Sequence, residues 1–172
     1  MKEIFNPPTP TEYRGVKFKS KSEALFARCL DLANNDVVKI AWSYEPPFLK
    51  QPDGYIPDFE IWFIFNAREF YKTSPIGVRV VAEYKPAGVT DSYKKILAQR
   101  FDRYHQSDYW EGYTVLIEGS FFNGVESIGY STLTEEGNGL FDAISPMTDY
   151  PFWFNDQILS DALEYRFDLL NY

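Results

Sequence analysis

Val80-Val81-Ala82-Glu83-Tyr84-Lys85-Pro86 is a short β-branched and aromatic run closed by a proline, and its alternation decides how the chain folds around it. Strand periodicity puts Val80, Ala82 and Tyr84 on one face and Glu83 and Lys85 on the other, so an acid and an ammonium stand side by side on the polar face. An acid-x-Lys triplet arises about once by chance in a chain of this size. Here Lys85 is the only lysine with an acid two residues before it.

Upstream, Val37 to Tyr44 and Tyr55 to Phe65 read as two further strands, with the turn signal Gln51-Pro52-Asp53-Gly54 joining them as a hairpin. Asp58 alternates against Tyr55, Pro57 and Phe59. If those three face the core, Asp58 faces a cleft. Before this hairpin, Ser20-Lys21-Ser22-Glu23 has capping-box spacing, and Leu25, Phe26, Cys29, Leu30, Leu32 and Ala33 follow at helical intervals up to Asn34-Asn35. A first helix carrying Glu23 in its first turn is expected. Pro7, Pro8 and Pro10 mark an extended arm with little structure of its own.

Downstream, Pro86 to Thr90 breaks the strand and Asp91 is a capping residue. Tyr93, Ile96, Leu97, Arg100, Phe101 and Tyr104 then recur as a second helix. Residues 66 to 76 read as a longer connection with room for a short helical piece. Tyr113 to Glu118 and Ile128 to Leu133 read as two more strands around a turn near Asn123-Gly124. The order is helix, three strands, helix, two strands, which is an α/β domain with a mixed sheet flanked by helices. From Thr134 onward the chain is acidic and aromatic, and Gln157 to Leu170 has the spacing of another helix. We therefore expect a core over residues 1–133 and an acidic extension, 134–172, packed on the same domain.

At 172 residues and 45% hydrophobic, the chain has material for one domain with a substantial core. No apolar run reaches the roughly 18 residues of a membrane helix, and the first residues lack the apolar stretch of a secretory signal, so a cytoplasmic protein is expected. Cys29 is the only cysteine and reads as a buried small hydrophobe, which excludes an internal disulfide. With His105 as the only histidine, His-rich zinc sites are excluded, and any metal would be held by oxygen, favouring Mg²⁺ or Mn²⁺. The net charge of −8 is unevenly distributed. Residues 1–105 hold 16 basic against 13 acidic side chains, whereas residues 106–172 hold Arg166 against 12 acids.

Pro57-Asp58 followed 25 positions later by Glu83-Tyr84-Lys85 resembles the PD-(D/E)xK nuclease superfamily. The segment Arg14 to Glu23 and the phrase Trp42-Ser43-Tyr44-Glu45-Pro46 are similar to the branch containing phage junction-resolving endonuclease I and the nuclease subunit of heteromeric transposases. The resemblance covers residues 14–105. It implies a restriction-endonuclease-like fold and a Mg²⁺-dependent DNA endonuclease of phage- or mobile-element-type recombination or DNA processing, with Mn²⁺ as substitute, working in a bacterial or phage-infected cytoplasm. It implies that Asp58 and Glu83 ligate the ion, that Glu23 completes the site, and that Lys85 orients or deprotonates the attacking water. A lysine acts as base only if burial and the metal depress its pKa; otherwise it positions the phosphate. Positioning with partial proton acceptance is the role expected here.

Each assignment has a plainer competitor. Glu23 also fits a capping acid, Asp58 a strand-edge charge, Lys85 a solvated strand end, and Glu45 before two prolines a turn acid outside the metal set. Arg14, Lys17, Lys19 and Lys21 before the first helix, with Lys94, Lys95, Arg100 and Arg103 on the second, are candidate DNA-phosphate contacts or simply solvated faces. Tyr13 and Tyr93 are placed to stack or to pack. Related enzymes dimerise to cut two strands, so a homodimer is an expected partner beside DNA. The alternative is a nuclease-fold binding protein whose acidic C-terminal region mimics nucleic acid or docks a basic partner.

Overall fold

The computed structural model describes residues 8–36, 38–65, 76–85, 89–107, 112–119 and 128–131. The elements run β1 Thr11–Tyr13, β2 Val16–Phe18, α1 Lys21–Leu32, β3 Val38–Tyr44, a 3-10 turn Pro47–Leu49, β4 Phe59–Phe65, β5 Ile76–Lys85, α2 Asp91–His105, β6 Tyr113–Gly119 and β7 Ile128–Ser131. Of the connection expected at 66–76, Ile76 already belongs to β5; residues 66–75, the turn at Asn123-Gly124, residues 1–7 and the whole segment 134–172 lie outside the described residues.

A five-stranded sheet in the order β3-β4-β5-β6-β7 forms the centre. Its pairs are antiparallel except β5 with β6, which run parallel from Val80↔Tyr113 to Lys85↔Glu118 and are joined through α2. A parallel pair needs a crossover, and α2 supplies it. The result is the mixed α/β sheet expected from the order of periodic segments.

On one face, Val80, Ala82 and Tyr84 of β5 pack with Phe59, Ile61 and Phe63 of β4 against Phe26, Cys29 and Leu30 of α1. The alternation of Val80 to Lys85 is thus realised, and its Glu83 side is the face toward α2. Cys29 is fully buried, and burial raises its thiol to about 12, an inert packing residue at neutral pH. α1 buries almost every residue from Ser22 to Leu30 because it is covered twice. Both the sheet and the β1–β2 hairpin pack on it, and Tyr13 and Phe18 of the hairpin are buried in the same cluster. α2 buries only Leu97, Phe101 and Tyr104, a single helical stripe over Val81 and Leu116.

One element goes beyond those expected, and two local expectations need correction. Thr11 to Phe18, between the proline arm and α1, forms a hairpin; Arg14 and Gly15 both have positive φ (52° and 77°), the two-residue turn that suits right-twisted strands. Asp31 secures it, accepting from Tyr13 Oη at 2.8 Å, Arg14 Nη1 at 2.9 Å and Trp42 Nε1 at 2.9 Å. The cap of α2 is Thr90, whose side chain accepts from the Tyr93 amide, with Asp91 in the first turn. Strand β4 begins at Phe59 and not at Tyr55, so alternation cannot be extended back across Pro57, and Tyr55 turns to the α2 side while Phe59 enters the α1 core.

Ser20 caps α1 through a complete capping box: Ser20 Oγ accepts from the Glu23 amide at 3.2 Å, and Glu23 Oε2 accepts from the Ser20 amide at 2.8 Å. Ser20→Ala is expected to lower unfolding stability by about 1 kcal/mol, read as a shift in urea midpoint with unchanged slope.

Candidate active site

Asp58 lies one residue before β4 and Glu83 and Lys85 end β5, so the pairing Phe59↔Ala82 brings all three to one corner of the sheet. Lys85 Nζ is 3.0 Å from Asp58 Oδ2 and 2.8 Å from Glu83 Oε1. One ammonium therefore bridges two carboxylates that are themselves almost fully buried, at 6% and 4% exposure. The Tyr84 amide donates to the same Asp58 oxygen at 2.9 Å, fixing it against the adjacent strand.

Glu83 is held from both sides. Tyr55 Oη donates to Oε2 at 2.8 Å and Tyr93 Oη donates to Oε1 at 2.7 Å. The phenols of Tyr55 and Tyr93 are pushed up by burial, reinforced by the Glu83 charge, so both remain donors across the working pH range. Tyr55 in turn carries the Arg100 guanidinium over its ring at 4.4 Å. Alternation groups Tyr55 with the candidate core residues, and Tyr93 reads as a residue that stacks or packs. Their role as Glu83 donors was not legible, because it depends on a turn and on the helix that follows β5.

Glu23 occupies a neighbouring position. Its Oε2 accepts from the Ser20 amide and from Tyr44 Oη at 3.1 Å, so it serves as the capping acid, and it contributes to Asp58 through its charge. Among the described residues no group of three or more Asp, Glu, His or Cys is assembled to hold a metal. The carboxylates that do converge are Asp58 and Glu83. Two carboxylates suit Mg²⁺, which commonly takes one or two from the protein and fills its remaining positions with water and substrate phosphate.

The electrostatics fit such an ion as well. Burial, then the charge of Glu83, push the Asp58 carboxyl up to about 7 against the opposing pull of Lys85. For Lys85, burial works against the ammonium, but Asp58 and Glu83 outweigh it and hold the amine above its ordinary range. Lys85 is therefore a cation at neutral pH. Because Asp58 is raised above its unfolded value, its ionisation costs stability increasingly from the ordinary carboxylate range up to about pH 7, and fully above that. A divalent cation offsets that cost. Added Mg²⁺ is expected to raise the melting temperature by several degrees at pH 8 and much less at pH 5, where Asp58 is protonated. Glu23→Gln, which keeps an acceptor for the cap, is expected to retain this shift, and Asp58→Asn to lose it.

The candidate DNA contacts fall in two places. Arg14 pairs with Asp31 and Lys19 with Glu45, and Lys19 is raised chiefly by Glu45 but also by Asp58 and Glu23, which puts it beside the site. Lys17 is exposed and Lys21 half-buried. On α2, Lys95 is exposed and Lys94 half-buried, while Arg103 and Arg100 lie 2.8 and 3.9 Å from Asp53. His105 Nε2 is 2.9 Å from Thr114 Oγ1. No described helix is long and apolar enough to cross a membrane. No family model, curated protein or solved structure matches the chain.

Proposed function

We propose that this chain is a Mg²⁺-dependent DNA endonuclease of the restriction-endonuclease-like type, hydrolysing phosphodiester bonds in phage- or mobile-element-type DNA processing. The observation that carries this reading is the Lys85 ammonium within hydrogen-bond distance of both Asp58 and Glu83. The order of elements, with an acid-x-Lys strand leading through a helix to a parallel neighbour, supports it.

Asp58 and Glu83 would hold the ion, with Tyr55 and Tyr93 fixing the Glu83 carboxylate. When bound, Mg²⁺ would supply a lowered water pKa and charge neutralisation at the phosphoryl oxygens. Lys85, fixed between the acids, presents a positive charge to the scissile phosphate and orients the attacking water. Asp58 and Glu83 are buried and the Lys85 side chain is 29% exposed, and removal from water strengthens each of these interactions. Lys17, Lys19 and Lys21 on one side and Lys94, Lys95, Arg100 and Arg103 on the other bind backbone phosphates without reading sequence. Cutting both strands of a duplex calls for a second copy of the site, and a homodimer provides it.

The test is nicking of supercoiled or branched DNA with Mg²⁺, compared with EDTA and with Lys85→Ala. Metal-dependent cleavage abolished by the substitution supports the proposal. Absence of cleavage by the native chain with either Mg²⁺ or Mn²⁺ rejects it in favour of a binding protein.

A further inference from the structure

We infer that a second site, next to the candidate active site on the same face of the sheet, binds one unpaired nucleotide of a nucleic-acid strand, with Phe48 stacking on its base and Arg79 and Arg103 facing its phosphates. Beside the 3-10 turn lies a cleft of about 350 Å³ lined by Phe48, Lys50, Gln51, Arg79, Arg103 and Tyr104 among others. That volume is at the lower end for small-molecule sites, the size of a single nucleotide rather than a duplex.

Three of the lining side chains are cationic and none is acidic. Two of the cations are held in place from behind. Arg103 Nη1 donates to Gln51 Oε1 at 3.1 Å and to Asp53 Oδ2 at 2.8 Å, and Arg79 Nε donates to Glu60 Oε1 at 2.7 Å while lying over the Trp62 ring. The floor is equally fixed, since Tyr104 Oη donates to the Leu49 carbonyl at 2.7 Å and Gln51 Nε2 to the Arg100 carbonyl at 2.7 Å. On this rigid frame Phe48 is 69% exposed, although its neighbour Leu49 is buried. An aromatic face displayed beside ordered cations is the arrangement that binds single-stranded nucleic acid, where base stacking is combined with phosphate attraction.

Arg79 and Glu83 share a face of β5 and are four residues apart, about 13 Å along the strand, with the buried Val81 and its cover from Leu97 and Phe101 of α2 between them. The choice of nucleic acid as the ligand rests on the endonuclease proposal for the adjoining acids.

The experiment is fluorescence anisotropy of a labelled oligothymidylate of about ten nucleotides in EDTA, with native chain, Phe48→Ala, Phe48→Tyr and Arg103→Gln. The exposed Phe48 variants are expected to melt with the native chain. Phe48→Ala should bind about tenfold or more weakly, Phe48→Tyr close to native, and Arg103→Gln with a salt dependence shallower by about one ion. Equal binding by native and Phe48→Ala, or no binding by the native chain, overturns the inference. Cleavage assays on the same preparations separate the two proposals. A chain that cuts DNA but is indifferent to Phe48 rejects the cleft and leaves the nuclease standing, whereas Phe48-dependent binding by a chain that never cuts supports the cleft and rejects the nuclease.

Discussion

Lys85→Ala is expected to reduce Mg²⁺-dependent cleavage of supercoiled DNA by about 10²- to 10³-fold, the usual cost of removing a preorganised charge aimed at a transition-state oxygen. The same substitution is expected to destabilise the metal-free protein, because Lys85 is the cation shared by Asp58 and Glu83. With its side chain 29% exposed, the loss should sit at or below the low end for a broken buried pair, about 2–3 kcal/mol, and should be larger at pH 8 than at pH 5. Mg²⁺ should restore much of that stability by replacing one positive charge with another, yet leave cleavage impaired. Urea titrations with and without Mg²⁺, run beside the nicking assay, separate the two effects. An unchanged cleavage rate would remove Lys85 from the chemistry.

Phe59→Ala is expected to cost about 4 kcal/mol, a large part of the 5–15 kcal/mol that typically holds a domain together. Phe59 is fully buried and its ring meets those of Phe26 at 5.0 Å, Tyr44 at 5.4 Å, and Phe18 and Trp42 at 6.2 Å each. It joins α1, β2, β3 and β4, so no single neighbour can collapse into the space it leaves. It also follows Asp58 directly, and its loss should loosen the carboxylate and weaken any Mg²⁺-induced rise in melting temperature. Ile96→Ala on α2, where Ile96 is 50% exposed, serves as the contrast and should change stability by less than about 0.5 kcal/mol. Equal effects from the two substitutions would contradict the placement of Phe59 at the junction of the elements.

The sheet and both helices were legible because their periodic signals are long and agree with their burial. β5 alternates cleanly, and α2 carries its apolar residues at helical spacing. Glu83 and Lys85 are legible for the same reason, since both are read from strand parity, whereas Asp58 lies one residue before β4 and its parity holds against Phe59 but not against Tyr55. What could not be read depends on single backbone angles or long-range partners. The β1–β2 hairpin rests on positive φ at Arg14 and Gly15, a short signal overshadowed by the preceding prolines. The rotation of Tyr55 away from Phe59 follows from β4 starting late, which periodicity across Pro57 cannot reveal. In the sequence Glu23 fits both a metal ligand and a capping acid, and its hydrogen bond from the Ser20 amide is that of the capping acid, with a second from Tyr44 Oη. The Phe48 cleft joins residues from the 3-10 turn, β5 and α2, and no local pattern connects them.

The most direct measurement is anomalous diffraction from a crystal of the native chain soaked in Mn²⁺. The expected result is an ion bound by oxygens of both Asp58 and Glu83 at about 2.1–2.2 Å, with the Lys85 amine displaced from between them but still adjacent. An ion bound elsewhere, or none at this corner at millimolar Mn²⁺, would contradict the proposed metal centre.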